Sequence, residues 1–105
     1  MFARNVSMRL KPNSVPEFTR TIENEILPLL RKQPGFQDEL TFVVPGGADA
    51  VAISLWAEKA NAETYERGNY PQVLKALAKV VEGTPKVQTY ELCNSTVHKI
   101  AAHVG

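Results

Sequence analysis

Alternation with a period of two limits, more than any other feature, how this chain can fold. Phe2, Val6, Met8 and Leu10 alternate with Ala3, Asn5, Ser7 and Arg9, and Phe36, Leu40, Phe42 and Val44 alternate with Gln37, Glu39, Thr41 and Val43. Successive residues of a strand point to opposite sides of a sheet, so each segment has one apolar face and one polar or small face. Helices can cover the apolar side. The second side must meet water, a ligand or another copy of the chain, and that choice is the functional question.

Between the strands the period changes. A first strand over about Phe2 to Leu10 ends before Pro12, which cannot donate to a ladder. Ser14 followed by Glu17 has capping-box spacing, with Pro16 in the first turn. Phe18, Ile22, Ile26 and Leu29 then recur at helical spacing, and Pro28 should kink that helix near its end. Phe36 to Val44 and Val51 to Trp56 read as strands joined through Pro45-Gly46-Gly47, an antiparallel hairpin. Asn61 is a plausible N-cap for a second helical region, interrupted at Gly68-Asn69 and restarted at Pro71. Val73, Leu74, Leu77, Val80 and Val81 form its apolar stripe, and Gly83 closes it. A long last strand is expected from Lys86 to about Ile100. The order β-α-β-β-α-β is the split arrangement of a ferredoxin-like α+β fold: a four-stranded antiparallel sheet with both helices on one side.

At 105 residues the chain makes one domain, residues 1–105, with little core to spare, so oligomerisation would help it. Twelve Lys plus Arg against eleven Asp plus Glu give a net charge of +1. These cations are scattered, which argues against nucleic acid as a partner. Arg4, Arg9 and Lys11 interrupt any apolar run near the start, and Leu40 to Ala57 is broken by the turn, so neither a secretory signal nor a membrane span is expected. The single Cys93 cannot form an internal disulfide, which suits the cytoplasm.

Leu29 to Phe36 (LLRKQPGF), Ile53 to Trp56 (ISLW) and Glu82 to Pro85 (EGTP) together resemble antibiotic biosynthesis monooxygenase-type domains, and the likeness spans nearly the whole chain. The resemblance implies a homodimer whose sheets pack face to face into an α/β barrel, with the last strand crossing to the partner. Similar proteins include oxygenases that act on phenols or quinols with neither metal nor flavin, haem-degrading enzymes, and domains without known activity. In the cofactor-free oxygenases an Asn, an aromatic residue and a Tyr lie in the region of Asn61, Tyr65 and Tyr70; here a Tyr stands where those enzymes carry a Trp. The haem-degrading members use a helix-two His as iron ligand, and this chain has no His before residue 98.

Each candidate carries two readings. Asn61 and Tyr65 are four apart on one helix face, and Tyr70 follows the break. They either orient a phenol and handle its proton, or serve as a cap and as packing. Trp56 walls a pocket or fills the core. Asn5 and Arg9, on the polar face of the first strand, could hold a carbonyl or carboxylate of a small aromatic ligand. His98 and His103 are spaced unsuitably for one metal. The expectation is therefore Tyr70 and Asn61 as catalytic residues, Asn5, Arg9, Trp56 and Tyr65 as substrate-binding residues, and no metal or cofactor. A non-catalytic binding or assembly domain is the alternative.

Overall fold

The structure is a computed structural model that describes residues 1–100; His103 lies outside them. Strand β1 (Phe2–Leu10) leads through a turn into helix α1 (Val15–Thr21), a π-turn at Ile22–Ile26 and helix α2 (Leu27–Arg31). Strands β2 (Phe36–Val43) and β3 (Asp49–Trp56) form the hairpin. Helices α3 (Lys59–Arg67) and α4 (Tyr70–Leu77) follow, and β4 (Val81–Glu91) ends the fold. All pairings are antiparallel, in the order β2-β3-β1-β4. The helices pack on one side of the sheet, against Val6, Met8, Leu10, Ala50 and Trp56. The ferredoxin-like α+β architecture expected from the patterning is the architecture observed.

Local chemistry explains the first helical region and corrects one expectation there. Ser14 is the N-cap of α1, but its hydroxyl donates to the Pro12 carbonyl at 3.4 Å instead of capping the helix. Pro28 does not produce a simple kink. It sits in the first turn of α2, directly after the π-turn in which the Leu27 N–H donates to the Ile22 carbonyl.

Three further boundaries differ from the sequence reading. The N-cap of α3 is Glu58, with Asn61 at the third helical position, where its Oδ1 accepts from the Glu58 N–H at 3.1 Å. Helix α4 stops at Leu77, Val80 lies in the turn that follows, and Val81 opens β4, as a β-branched residue favours. Gly83 closes no helix; it lies in β4 with φ +68°, where the register against β1 shifts between Ser7 and Arg9. Strand β4 then ends at Glu91, well short of Ile100.

The most consequential difference is in β2. Phe36 pairs with Trp56 but Asp38 pairs with Leu55, so Gln37 is a bulge and the strand reverses its faces beyond it. Glu39, Thr41 and Val43 therefore turn toward the helices, while Leu40 and Phe42 turn to the open side. That is the opposite of the assignment drawn from alternation, and it leaves Phe42 53% exposed.

Beyond β4 the chain crosses the end of the open face. The Leu92 N–H donates to the Met1 carbonyl, and the His98 ring meets the Asp38 carboxylate on β2, at the far edge of the sheet.

Candidate functional site

Register alone assembles the site. On the covered face of the sheet Phe36, Trp56 and Phe2 form one row, and Thr41, Ala52, Val6 and Val87 form another. Between them runs a polar row: Glu39 is opposite Ser54, Ser54 is opposite Arg4, and Arg4 is opposite Thr89. The middle strand supplies only small residues here, Ala52 and Ser54, so the helices cannot close fully onto it. A cavity of about 40 Å³ remains above them, and with its mouth the recess encloses about 410 Å³. Its walls are Val6, Met8, Ile22, Ile26, Leu30, Val73 and Leu77, with Tyr65 and Tyr70 from the helices and Arg4, Glu39 and Ser54 from the polar row.

Arg4 is the dominant group. It is 2% exposed and reaches Glu66 Oε1 at 3.4 Å, from a carboxylate that is itself half in water. Its guanidinium lies 4.3 Å from the Tyr70 ring centroid and 5.2 Å from that of Tyr65, cation–π contacts that offset part of its burial. A buried guanidinium with five donors and one long partner is costly unless something else satisfies it.

The phenols and the carboxyl respond to this environment. Burial pushes the Tyr65 hydroxyl well above the ordinary range for tyrosine, and the nearby Arg4 charge pulls the other way. Tyr70 is also raised by burial, again against Arg4. The Tyr70 hydroxyl is buried and lies within reach of the Arg4 guanidinium, which favours its anion, but it makes no hydrogen bond of full geometry among the described residues. Burial raises the Glu39 carboxyl too, opposed by the Thr41 hydroxyl, which donates to Oε2 at 2.6 Å. Both phenols are held neutral, and the carboxyl takes up a proton more readily than one in water.

The expected site residues divide into four groups. Tyr65 and Tyr70 line the cavity. Trp56 lies behind it, fully buried, donating from Nε1 to Ser54 Oγ at 2.9 Å, edge-on to Phe36 and stacked 4.9 Å from Tyr65. Asn61 is outside the cavity: besides its bond to Glu58 it packs against Gly35, whose φ of +78° and lack of a Cβ leave room for the amide. Asn5 and Arg9 are on the open face of β1. There Asn5 Oδ1 accepts from Ser7 Oγ at 3.5 Å, and Arg9 is 4.0 Å from Glu82. The cavity thus gathers two of the six expected residues, with Trp56 supporting it from behind.

Sequence reasoning missed Arg4, Glu39 and Ser54. Arg4 had a visible signal, since it stands at an even position between Phe2 and Val6, a charge within the apolar stripe. Glu39 had none, because the bulge that turns it inward leaves no trace in the alternation. Among the described residues no group of three His, Cys, Asp or Glu could hold a metal ion, and no helix is long and apolar enough to cross a membrane.

No protein-family model matches the sequence, and no curated protein does. Solved structures do. A protein of unknown function from Nitrosomonas europaea superposes with a TM-score of 0.74 at 19% identity, covering 97% of this chain and 95% of that one. The ActVA-Orf6 monooxygenase of Streptomyces coelicolor, in complex with nanaomycin D, gives 0.75 at 14% identity over 93% and 92%. SnoaB, a cofactor-independent oxygenase from Streptomyces nogalater, gives 0.71 at 11% identity over 92% and 97%. At these identities the likeness concerns the fold, which is that of antibiotic biosynthesis monooxygenase structures.

Proposed function

We propose that the protein binds a small aromatic molecule in the cavity beside Arg4 and Tyr70 and oxygenates it at the expense of O₂ without a cofactor. The observation that carries this reading is the pairing of a buried guanidinium with a buried phenol hydroxyl that makes no full hydrogen bond, in a recess whose helix-side walls are otherwise apolar. Neither helps the fold, and both suit an oxygen atom arriving on a ligand. A phenol bound there is drawn toward its anion by Arg4, and a phenolate is electron-rich enough to pass an electron to O₂. Insertion at a ring C–H ortho or para to the hydroxyl then consumes one O₂, leaves one oxygen atom on the ring, which departs as a quinone, and releases the other with two hydrogens as water. In this scheme Tyr70 handles the proton, Tyr65 walls the ring and Trp56 holds Tyr65 in place. SnoaB, a structure of the same fold, is a cofactor-independent oxygenase, which adds support to this reading.

The enclosed part of the cavity is water-sized, so a ring enters as the walls yield. The π-turn and the break at Gly68-Asn69 are the places where the helical backbone is irregular. The open face supports a homodimer: Leu40 and Phe42 of β2 lie beside Val51, Ile53 and Leu55 of β3, and Tyr90 of β4 is 52% exposed. Burying such a patch against a copy of itself is an isologous contact. Asn5, Ser7 and Arg9 then face the lumen between the two sheets. The exposed free Cys93 fits a reducing compartment such as the cytoplasm.

Oxygen uptake with a panel of naphthols and hydroquinones tests the reading. Tyr70→Phe is expected to lower turnover about 100-fold, the lower end for a lost proton-transfer group. Full turnover in that variant, or no uptake across the panel, defeats the proposal. The second outcome favours a non-catalytic binding domain, which the same recess would also serve.

A further inference from the structure

The polar row gives the cavity two unlike ends. Arg4 and Glu39 both stand opposite Ser54, one from each side, so their backbones are two strand spacings, about 10 Å, apart. Both side chains line the cavity, and Ser54 Oγ between them already accepts from the Trp56 N–H at 2.9 Å. At the Arg4 end the Tyr70 hydroxyl adds a second donor, buried and without a full hydrogen bond. Four titratable side chains line this cavity: Arg4, Glu39, Tyr65 and Tyr70. A guanidinium stays protonated at any ordinary pH. Burial keeps both phenols neutral, as donors. Glu39 is therefore the one group of the four that can take up a proton at neutral pH.

Glu39 is also placed where a base can work. It borders a second recess outside the cavity, with Thr41 on its own strand and Ile22 and Glu23 on the π-turn. One side of the carboxyl thus meets the apolar cavity and the other meets water. A fully buried carboxyl would stay protonated, and a fully exposed one would be a weak base. Half-burial gives a carboxylate that ionises yet binds a proton more firmly than one in water. The Thr41 hydroxyl, donating to Oε2 at 2.6 Å, holds one of its two oxygens in place.

We infer that the cavity carries a second activity that needs no oxygen: the isomerisation of β,γ-unsaturated ketones to conjugated ones, with Glu39 as the base and Arg4 and Tyr70 holding the enolate oxygen. This rests on the cavity as the ligand site, but not on the oxygenase chemistry. The Glu39 carboxylate takes a proton from the carbon between the carbonyl and the double bond. The electrons of that C–H bond become a new double bond, and those of the carbonyl move onto its oxygen, where the guanidinium and the phenol donate. The Glu39 carboxyl then returns its proton to the γ carbon, the carbonyl re-forms, and the conjugated ketone leaves with nothing consumed. A carboxyl facing oxyanion donors across an apolar site is an arrangement suited to proton abstraction beside a carbonyl near neutral pH. The substrate class follows from the two ends. A carboxylate is too weak a base to enolise a simple ketone readily, whereas the extra double bond spreads the charge and acidifies the C–H. The resulting dienolate is flat, suits the apolar walls and carries its charge to Arg4.

Conversion of cyclohex-3-enone to cyclohex-2-enone, followed under nitrogen by the ultraviolet absorbance of the conjugated product, tests the inference. The wild type is expected to exceed the buffer-catalysed rate. Glu39→Gln should lower kcat about 100-fold with KM nearly unchanged, as for a lost general base. Arg4→Met should lower kcat/KM about 100-fold, the scale of one oxyanion donor. Glu39→Asp, which sets the carboxylate back by one methylene, should recover part of the lost rate. Thermal melting checks that each variant is folded, and the wild-type measurement needs no variant.

No rate above buffer in the wild type overturns the inference, as does an undiminished rate in a folded Glu39→Gln or Arg4→Met. Isomerisation without oxygen uptake across the phenol panel removes the oxygenase reading and leaves the inference standing. Oxygen uptake without isomerisation does the reverse.

Discussion

The two faces of the sheet violate the ordinary pattern in opposite directions. The covered face, where charge is expensive, carries Arg4 and Glu39 beneath the helices, with the buried Tyr70 hydroxyl of α4 above them making no full hydrogen bond. The open face, where apolar surface is a liability, displays Leu40, Phe42 and Tyr90. Swapping the two sets of side chains would make a better isolated domain on both counts. A sequence that holds such residues against the interest of its own fold points to partners outside the fold. The inner departure is small, polar and concave, which is the character of a ligand site. The outer one is broad, flat and apolar, which is the character of an interface.

The comparison breaks first at the outer face. Ile53→Asp places a carboxylate at the middle of the open side of β3, opposite Leu40. In a dimer closed by a two-fold axis the change is made twice, each time burying a charge without a counter-ion at about 3–5 kcal/mol. Dissociation at micromolar concentration is the expected result in sedimentation velocity, with the fold of each copy retained. A dimer that survives this change would show that the apolar face is not the interface.

The inner face predicts a smaller effect of unusual sign. Arg4→Met removes the buried charge and keeps most of the side-chain volume, and Glu66, 52% exposed, returns to water without penalty. Replacing a buried charged group by a well-packed apolar one is often neutral or stabilising by about 1–4 kcal/mol. Chemical denaturation should therefore find the variant at least as stable as the wild type, although its ligand affinity falls. A loss of several kcal/mol would mean that Arg4 holds the core together and is not kept for a ligand.

How legible these two faces were in the sequence depended on which physical signal each required. Hydrophobic periodicity declared the order of elements, the hairpin at Pro45-Gly46-Gly47 and the break at Gly68-Asn69, because burial acts on every second or every third and fourth residue. Tyr65 and Tyr70 were legible for the same reason, as large residues near a helix break. The faces of β2 were not. A bulge at Gln37 inserts one residue into the pairing and inverts everything after it, and only the partner strand reveals that. Reading Leu40 and Phe42 inward therefore hid Glu39 and concealed the apolar open face in a single step. Asn61 was misplaced by a subtler route: an amide at the third helical turn position can serve the N-cap backbone as well as an N-cap residue can. The start of β4 was lost because Val80 and Val81 continue a helical stripe in sequence, while Val80 lies in the turn and the β-branched Val81 suits the strand it opens.

The smallest effect to be sought separates the two ends of the polar row. Glu39 is the carboxyl whose proton affinity is raised above the usual 4.5, chiefly by burial. The folded protein therefore holds this proton more tightly than the unfolded chain does. Between 4.5 and the higher folded value the native state binds more protons than the unfolded one, so stability declines as pH rises through that window. Below the window both states are protonated, and the neutral carboxyl carries no desolvation penalty. Above it the full cost of a half-buried anion is borne. Glu39→Gln has no such proton, so its stability should be flatter than that of the wild type from pH 4.5 upward. The two curves should meet most closely at the acidic end, when each is followed by urea denaturation in a series of buffers. A wild-type slope that Glu39→Gln leaves intact would assign it to another group, and Arg4 would then remain as the one charged end of the cavity with a function to explain.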